Sequence, residues 1–356
     1  MKTLLSVILS VLLALSATVS TSAEVRLQGA GATFPNPIYQ RWVTEYQKLH
    51  PDVLIDYQSQ GSGAGIRAIT EKTVAFAGSD APLNKKQRED IEKLGLEAIH
   101  IPTVAGAVVL AYNLPGFSGE LKLSGEVIAD IYGGKVTMWN DAKIAALNEG
   151  AKLPALSIVP AYRTDGSGTT FIFTNYLSTQ SESYRETIGS GTAVKWPAGQ
   201  GGKGNEGVTQ VVQSTPGAIG YVELIYAQAN KIPFALVKNK DGKFVKASPE
   251  TVALAGDGAA SAMSEKSLAV PLWNQPGENT YPISAFTYII VYRDLNYLGD
   301  KGKAQTLANF LAWATTDGQS VASGMGYAPL SPAVREKVTA LIGTLKYSGE
   351  PIKTGK

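Results

Sequence analysis

The motif that best predicts the architecture of this chain occupies residues 162–171 and reads Tyr-Arg-Thr-Asp-Gly-Ser-Gly-Thr-Thr-Phe. Its glycines allow backbone amides to approach a ligand closely, and a helical pattern follows directly. The first amides of a helix lack intrahelical partners, and the helix dipole adds partial positive charge beside them. Arg163 adds a planar cation that can bind two oxygens at once. These features suit a small tetrahedral oxyanion.

Three further turns of the same kind lie in the first eighty residues. Each follows a predicted strand, precedes a predicted helix and carries small polar groups. They are Gly29–Pro35 after a strand at Val25–Gln28, Gly61–Gly63 after Val53–Ser59, and Ser79–Pro82 after Val74–Gly78. Ligands of open α/β sheets bind where strands end and helices begin. We therefore expect all four turns to meet in one cleft between two facing domains.

The remaining pattern predicts an α/β fold. The apolar runs Ala105–Tyr112 and Pro282–Tyr292 are interpreted as long buried strands. Asn84 caps a charged helix with Gln87 at the capping-box position. The glycine-rich segment Gly199–Gly204 is interpreted as a loop. It is not a dinucleotide-binding motif, because Trp196 and Pro197 stand where such a motif would need a strand.

The first 23 residues are predicted to be a cleaved signal peptide. Lys2 provides the positive start, residues 4–15 are mostly apolar, and Thr21-Ser22-Ala23 ends the segment with small residues. As a helix the apolar part would rise about 18 Å, whereas the hydrocarbon core of a bilayer is about 30 Å thick. We therefore expect Glu24 to begin the mature chain, which is exported to the periplasm with no membrane insertion.

Composition excludes several classes of function. The formal net charge is +2, or +1 without residues 1–23, whose one charged residue is Lys2, so binding to nucleic acid is not expected. The length of 356 residues indicates two domains. With no cysteine there is no disulfide, thiol nucleophile or lipidated anchor, and two histidines are too few for most metal or triad chemistry.

The candidate residues also have ordinary structural interpretations. Thr33, Ser62 and Asp80 each occupy a position where a helix cap is common. The pair of Arg163 and Asp165 could be a surface ion pair of little energetic weight. In the functional interpretation, Asp165 instead holds the guanidinium flat so that its free edge meets an anion.

Five motifs together resemble the periplasmic phosphate-binding proteins of bacterial phosphate ABC transporters (PstS type). They are Gly29-Ala-Gly-Ala-Thr-Phe-Pro35, Ser79-Asp-Ala-Pro82, Arg163-Thr-Asp-Gly-Ser-Gly-Thr169, Trp196-Pro-Ala-Gly-Gln-Gly-Gly-Lys-Gly-Asn205 and Pro216-Gly-Ala-Ile-Gly-Tyr-Val-Glu223. The resemblance implies an α/β, two-lobed periplasmic-binding-protein fold of type II, the Venus flytrap, with two crossover strands. Residues 24–104 and 284–356 would form lobe I, and residues 105–283 would form lobe II.

The resemblance also implies a set of phosphate contacts. The residues that match the family motifs are Thr33, Phe34, Ser62, Asp80, Arg163, Ser167, Gly168 and Thr169, with Asp165 supporting Arg163. The segment Gly61-Ser62-Gly63-Ala64 departs from the Gly-Ser-Ser-Gly of the family, which affects a neighbouring contact and not Ser62 itself. No cofactor or metal is implied.

The implied function is transport and not catalysis. The protein, expected to be a monomer, would close on inorganic phosphate and deliver it to the permease and ATPase of an ABC transporter. Asp80 would accept a hydrogen bond from phosphate, which carries a proton near neutral pH, and would repel sulfate, which carries none.

Three alternatives stay open at the level of sequence. The first is capture of another tetrahedral oxyanion, such as sulfate, arsenate or a phosphonate. The second is an exported phosphomonoesterase that uses Ser167 or Thr169 as nucleophile. The third is a surface-interaction or signalling protein in which the motif is structural.

Overall fold

A computed structural model describes residues 24–264 and 267–355 of the chain. The predicted signal peptide, residues 1–23, lies outside the described residues. Within the part that the structure describes, no helix has both the length and the apolar character needed to cross a membrane.

Strands and helices alternate along most of the chain, which confirms the predicted α/β class. The strands are β1 (Val25–Gly31), β2 (Val53–Ser59), β3 (Phe76–Ser79), β4 (Ala98–Tyr112), β5 (Lys122–Leu123), β6 (Val159–Arg163), β7 (Gln200–Gly202), β8 (Ala218–Glu223), β9 (Leu236–Lys238), β10 (Phe244–Val245), β11 (Ser284–Tyr292), β12 (Lys346–Tyr347) and β13 (Glu350–Pro351).

The helices fall mainly between these strands and after β11. They are α1 (Asn36–Leu49), α2 (Ser62–Thr70), α3 (Lys85–Glu92), α4 (Gly125–Tyr132), α5 (Ala142–Ala145), α6 (Gly168–Gln180), α7 (Glu182–Thr187), α8 (Gly204–Ser214), α9 (Leu224–Ala229), α10 (Pro249–Asp257), α11 (Ala259–Ala262), α12 (Lys301–Ala314) and α13 (Pro332–Ile342), with short 3₁₀ turns at Leu295–Leu298, Asp317–Val321 and Ser323–Met325. Asn84 and Gln87 form the predicted capping box at the start of α3.

The main sheet has eight strands in the order β2-β1-β3-β11-β4-β8-β6-β7. At one end β1 pairs in parallel with β2 and β3, and at the other end β6 pairs in parallel with β7 and β8. Between these groups, β4 and β11 run antiparallel to each other and to their outer neighbours. Two smaller sheets, β10-β9-β5 and β12-β13, complete the strand pairing.

The long strand β4 joins the two parallel groups. Its residues 98–107 pair with β11, whereas residues 108–112 pair with β8. The sequence predicted the second part of this strand. It placed the start of β4 at Ala105, seven residues after the observed start at Ala98. The pairing with β11 shifts register between Thr287 and Tyr288, as at a β-bulge.

Helices cover both parallel groups. In the first group α1 packs on β2, α2 on β1 and β3, and α12 on β1, while in the second α8 packs on β6, β7 and β8. Ile66 and Ile69 of α2 belong to a small separate cluster, whereas most of the other elements contribute buried apolar side chains to one main core cluster. Two of its largest members satisfy their indole N–H groups inside it: Trp42 donates to the carbonyl of Gly318 at 2.6 Å and Trp139 to that of Gly217 at 2.9 Å.

Helix α2 approaches β1 unusually closely at Gly65. A Cβ atom at this position would lie 2.6 Å from the Cα of Gly31 and 2.7 Å from the carbonyl oxygen of Ala30. Both atoms belong to the backbone of a paired strand and cannot move aside cheaply. The absence of a side chain at Gly65 therefore fixes how near the start of α2 lies to the end of β1.

Gly65→Ala is expected to displace α2 and to lower the free energy of unfolding by about 1–3 kcal/mol, as overpacking usually does. Thermal or urea unfolding would measure the change. Gly258→Ala is the matched control, because no atom lies within 4 Å of a Cβ at Gly258 and its φ is negative. Equal effects of the two substitutions would contradict the packing role of Gly65.

Candidate functional site

The predicted turns meet because the carboxyl ends of six strands meet. These ends are Gly31 of β1, Ser59 of β2, Ser79 of β3, Arg163 of β6, Gly202 of β7 and Glu223 of β8. Hydrogen bonds link the turns that follow them: the amide of Gly63 donates to the carbonyl of Gly166 at 2.8 Å, and the amide of Gly168 donates to the Ser62 hydroxyl at 3.1 Å. The expected convergence on one location is therefore observed.

Arg163 and Asp165 form a buried, two-pronged ion pair. Nε of Arg163 donates to Oδ1 of Asp165 at 2.8 Å, and Nη2 donates to Oδ2 at 2.5 Å. The side chains are only 1% and 11% exposed, so this is not the surface pair of the ordinary interpretation. Burial alone would raise the pKa of Asp165, but Arg163 and the amide of Gly204 offset it and hold the pKa below its usual value.

The edge of the guanidinium that Asp165 leaves free faces Thr169. Nη1 of Arg163 donates to the Thr169 hydroxyl at 3.2 Å, and Thr169 is fully buried. The ion pair thus aligns one cationic edge with the first turn of α6.

Asp80 is a buried carboxylate at the centre of the site. Its Oδ1 accepts a hydrogen bond from the Thr287 hydroxyl at 2.7 Å, and its backbone amide donates to Ser62 at 3.2 Å. Burial raises the pKa of Asp80 to about 7, although Thr287, the charge of Arg163 and Ser62 all act to lower it. The buried environment of Asp80 therefore favours the neutral carboxyl more than water does.

Gly168 brings the first turn of α6 against this carboxylate. A Cβ atom there would lie 2.4 Å from Oδ2 of Asp80 and 2.5 Å from Oγ of Ser62, so no other residue fits without displacement. Ser167 caps α6, since its hydroxyl accepts the amide of Thr170 at 3.0 Å. The positive end of a 13-residue helix thus lies beside Asp80.

Thr33 and Phe34 enter the site at the start of α1. The main-chain carbonyl of Thr33 accepts from the Tyr226 hydroxyl at 2.6 Å, and that of Phe34 accepts from the Tyr327 hydroxyl at 2.7 Å. The Thr33 hydroxyl is held by Asn205, whose Nδ2 lies 2.7 Å away. The backbone at the start of α1 is thereby fixed from several sides.

The structure brings all the predicted site residues into one buried cluster. Ser62, Asp80 and Gly168 contact one another directly, Arg163 links Asp165 to Thr169, Ser167 caps the same helix, and Phe34 follows Thr33 in the chain. The N-cap interpretation fails for Thr33, Ser62 and Asp80, because Pro35, Gly61 and Asn84 are the N-cap residues of the helices that follow them.

Sequence reasoning missed two residues of this cluster, Asn205 and Thr287. Asn205 directly follows the glycine-rich segment Gly199–Gly204 that was interpreted as a loop. That interpretation was wrong, because Gln200–Gly202 forms β7 and α8 begins at Gly204. The position of Asn205 at a strand-to-helix turn was the available signal. The only sequence signal for Thr287 was a hydroxyl inside a mostly apolar strand.

The buried histidine and the second buried carboxylate near the site have other environments. Nε2 of His100 accepts the amide of Leu83 at 3.0 Å, and burial lowers the pKa of His100 to about 4, so this imidazole is neutral and already bonded. Burial raises the pKa of Glu223 well above its usual value. Among the described residues, no group of three or more histidine, aspartate or glutamate side chains is arranged to hold a metal ion.

Several known proteins are similar to this chain in sequence or in fold. A family model described as a PBP superfamily domain matches residues 18–317. The phosphate-binding protein PstS of Pasteurella multocida is 41% identical over 324 residues, which cover 90% of each chain. The PstS of Methanocaldococcus jannaschii is 38% identical over 313 residues, covering 83% of this chain and 80% of that protein.

Among solved structures, a phosphate-binding protein from Stenotrophomonas maltophilia superposes with a TM-score of 0.67 at 21% identity, covering 89% of this chain and 94% of the other. This likeness shows the two-lobed periplasmic-binding-protein fold. From the extent of these matches along nearly the whole sequence, the chain belongs to the PBP superfamily and, within it, to the PstS family of phosphate-binding proteins.

Proposed function

We propose that this protein is exported, captures inorganic phosphate at the cluster around Asp80 and Arg163, and delivers it to the permease of an ABC transporter. The proposed ligand contacts are Thr33, Phe34, Ser62, Asp80, Arg163, Ser167, Gly168 and Thr169, supported by Asp165. The observation that carries the proposal is the buried carboxylate of Asp80, which lies beside a buried guanidinium and a helix start.

Attraction comes from the Arg163 side of the site. The guanidinium of Arg163 is a planar cation, and its pairing with Asp165 keeps it rigid. The hydroxyls and amides around it are buried, and hydrogen bonds to an anion are stronger where water is excluded. Preorganised donors of this kind bind an oxyanion without first having to be ordered.

Selectivity comes from Asp80. An ionised carboxylate about 4 Å from an anion is repelled by about 4 kcal/mol per unit charge at an effective dielectric constant near 20. Phosphate can replace this repulsion by a hydrogen bond, because it carries a proton near neutral pH. Sulfate has no such proton and leaves the buried carboxylate unpaired, which is costly.

We propose that residues 24–104 and 284–356 form lobe I and that residues 105–283 form lobe II. The support is that β4 passes from pairing with β11 to pairing with β8 between residues 107 and 108, and that β11 begins at Ser284. The bonds from Gly63 to Gly166 and from Gly168 to Ser62 would then connect the two lobes, as a closed form requires. Closure around phosphate would present one compact shape to the permease.

We further propose a periplasmic location and the subunits of a transporter as partners. Cleavage after residue 23 would release a periplasmic monomer that lacks a lipidated cysteine and binds neither nucleic acid nor membrane. It would work with the permease and ATPase subunits of the transporter and would need no cofactor. Catalysis is not proposed, because the Ser167 hydroxyl serves as a helix cap and His100 is neutral and bonded elsewhere.

Selectivity against sulfate is expected to depend on pH. Below about pH 7 Asp80 is neutral and can donate to sulfate, whereas above its pKa sulfate binding must take up a proton and should weaken about tenfold per pH unit. Phosphate supplies its own proton and should lose much less affinity. Titration calorimetry with both anions at pH 6 and pH 8.5 would measure the ratio.

Asp80→Asn is the control for this experiment, since the amide does not titrate. The variant should bind the two anions with a smaller preference that no longer changes with pH. A wild-type preference that is the same at both pH values would remove Asp80 from the basis of selectivity. Failure of the wild-type protein to bind phosphate at all would overturn the proposed function.

Arg163→Ala is expected to weaken phosphate binding about 100-fold or more, because it leaves the buried carboxylates without their cation. Arg163→Lys keeps the charge but loses the planar fork, and an intermediate affinity is expected. Calorimetry gives both affinities, and circular dichroism checks that each variant is folded. Near-normal binding by Arg163→Ala would place the ligand elsewhere.

Phosphate is expected to make the protein more compact, since the contacts between the proposed lobes would form on closure. Small-angle X-ray scattering in phosphate-free buffer and in saturating phosphate would detect a smaller radius of gyration with ligand. Sulfate at pH 8.5 serves as the negative control. Superimposable profiles with and without phosphate would contradict closure.

A further inference from the structure

Asn205 is a fully buried amide whose orientation is fixed by the backbone. It is the second residue of α8, and its Oδ1 accepts the amide N–H of Glu223 at 2.9 Å. Since a backbone N–H can only donate, the oxygen of the side-chain amide must face Glu223. The Nδ2 group of Asn205 therefore faces the opposite way, toward the anion site.

Both hydrogens of that Nδ2 group go to predicted ligand hydroxyls. Nδ2 lies 2.7 Å from Oγ1 of Thr33 and 3.3 Å from Oγ1 of Thr169. Thr33 receives a second donor, the backbone amide of Asn205 at 3.2 Å. Thr169 also receives a second donor, Nη1 of Arg163 at 3.2 Å.

These hydrogen bonds determine where the hydroxyl hydrogens of Thr33 and Thr169 point. A hydroxyl has two acceptor positions and one hydrogen. On Thr33 and on Thr169 both acceptor positions are filled by N–H groups, so each O–H must be donated to a further acceptor. Both residues are at most 2% exposed, so bulk water is not that acceptor.

We propose that Asn205 is a positioning residue that forces the hydroxyls of Thr33 and Thr169 to act as donors to the bound anion. The inference rests on the proposed function, since it takes phosphate as the acceptor. Without Asn205 each hydroxyl could turn its hydrogen away and present a lone pair to the anion, which repels it. Asn205 itself need not touch the ligand.

Ser62 provides an internal comparison. Its hydroxyl accepts two main-chain amides, those of Asp80 at 3.2 Å and Gly168 at 3.1 Å. It is therefore a forced donor as well, but by an arrangement that does not involve Asn205. Changing Asn205 should alter the contribution of Thr33 to binding and leave the contribution of Ser62 unchanged.

A double-mutant cycle tests this assignment by calorimetry with inorganic phosphate. Thr33→Val removes the hydroxyl and should cost about ten- to a hundredfold in affinity in the wild-type background, as expected for a hydrogen bond to a charged group. Asn205→Asp replaces the donor by an acceptor and draws the Thr33 hydrogen to itself. In that background Thr33→Val should cost less than about threefold.

The added charge of Asn205→Asp weakens binding in both arms of the cycle and so cancels. Ser62→Ala is measured in the same two backgrounds, and its cost should be equal in both. A purely structural role of Asn205 would change the costs of Thr33→Val and Ser62→Ala together. Asn205→Leu is a second background, in which the cost of Thr33→Val should also fall.

Asn148→Asp is the matched control for substitution of a buried asparagine. Asn148 is buried, and its side chain makes three hydrogen bonds, to both backbone groups of Lys122 and to the carbonyl of Ile144. This variant should bind phosphate normally. An unchanged cost of Thr33→Val in both Asn205 backgrounds would overturn the inference, whereas a wild-type protein that does not bind phosphate would overturn the proposed function instead.

Discussion

The buried carboxylate of Asp80 constrains the strands and helices that surround it. Desolvation disfavours its charged form, so the surrounding elements must either neutralise it or supply donors. Thr287 donates to it from β11, and the charge of Arg163 acts on it from β6. These residues come from separate parts of the chain, so the environment of Asp80 exists only when the whole sheet is assembled.

The guanidinium of Arg163, which carries the opposite charge, is itself held in place. Arg163 is held in plane by Asp165, and Asp165 is held by the amide of Gly204 at 2.9 Å. Each ionised group therefore has a fixed partner, which limits the cost of burying three charges close together. The same series of contacts leads from β6 to the start of α8, where Asn205 donates to the hydroxyls of Thr33 and Thr169.

The sequence predicted the strand ends and the residues near them because the local chemistry of a strand-to-helix turn is strong. Glycine, serine and threonine in these turns identify helix starts, and Arg163 with Asp165 marked the charged centre. Asn205 was missed because a glycine-rich segment looks like a loop when its strand has only three residues. The bonds of Asn205 to Thr33 and Thr169 are long-range contacts that no local pattern encodes.

The start of β4 was also placed late, for a related reason. Residues 98–104 include His100, Pro102 and Thr103, which interrupt the apolar run. Burying these polar side chains in a strand would be costly without partners, but tertiary contacts supply them. His100 accepts the amide of Leu83, and the Thr103 hydroxyl forms a hydrogen bond with the Tyr39 hydroxyl. Such compensation is visible only once the neighbouring elements are in place.

The contact between Thr287 and Asp80 makes β11 sensitive to changes in length. Successive side chains of a strand point to opposite faces, so inserting or deleting one residue would turn every later side chain over. An insertion or deletion of one residue just before Thr287 would carry its hydroxyl away from Asp80 while leaving the apolar composition of the strand almost unaltered. Evolution of this segment should therefore proceed by substitution, with gaps confined to the loops on either side.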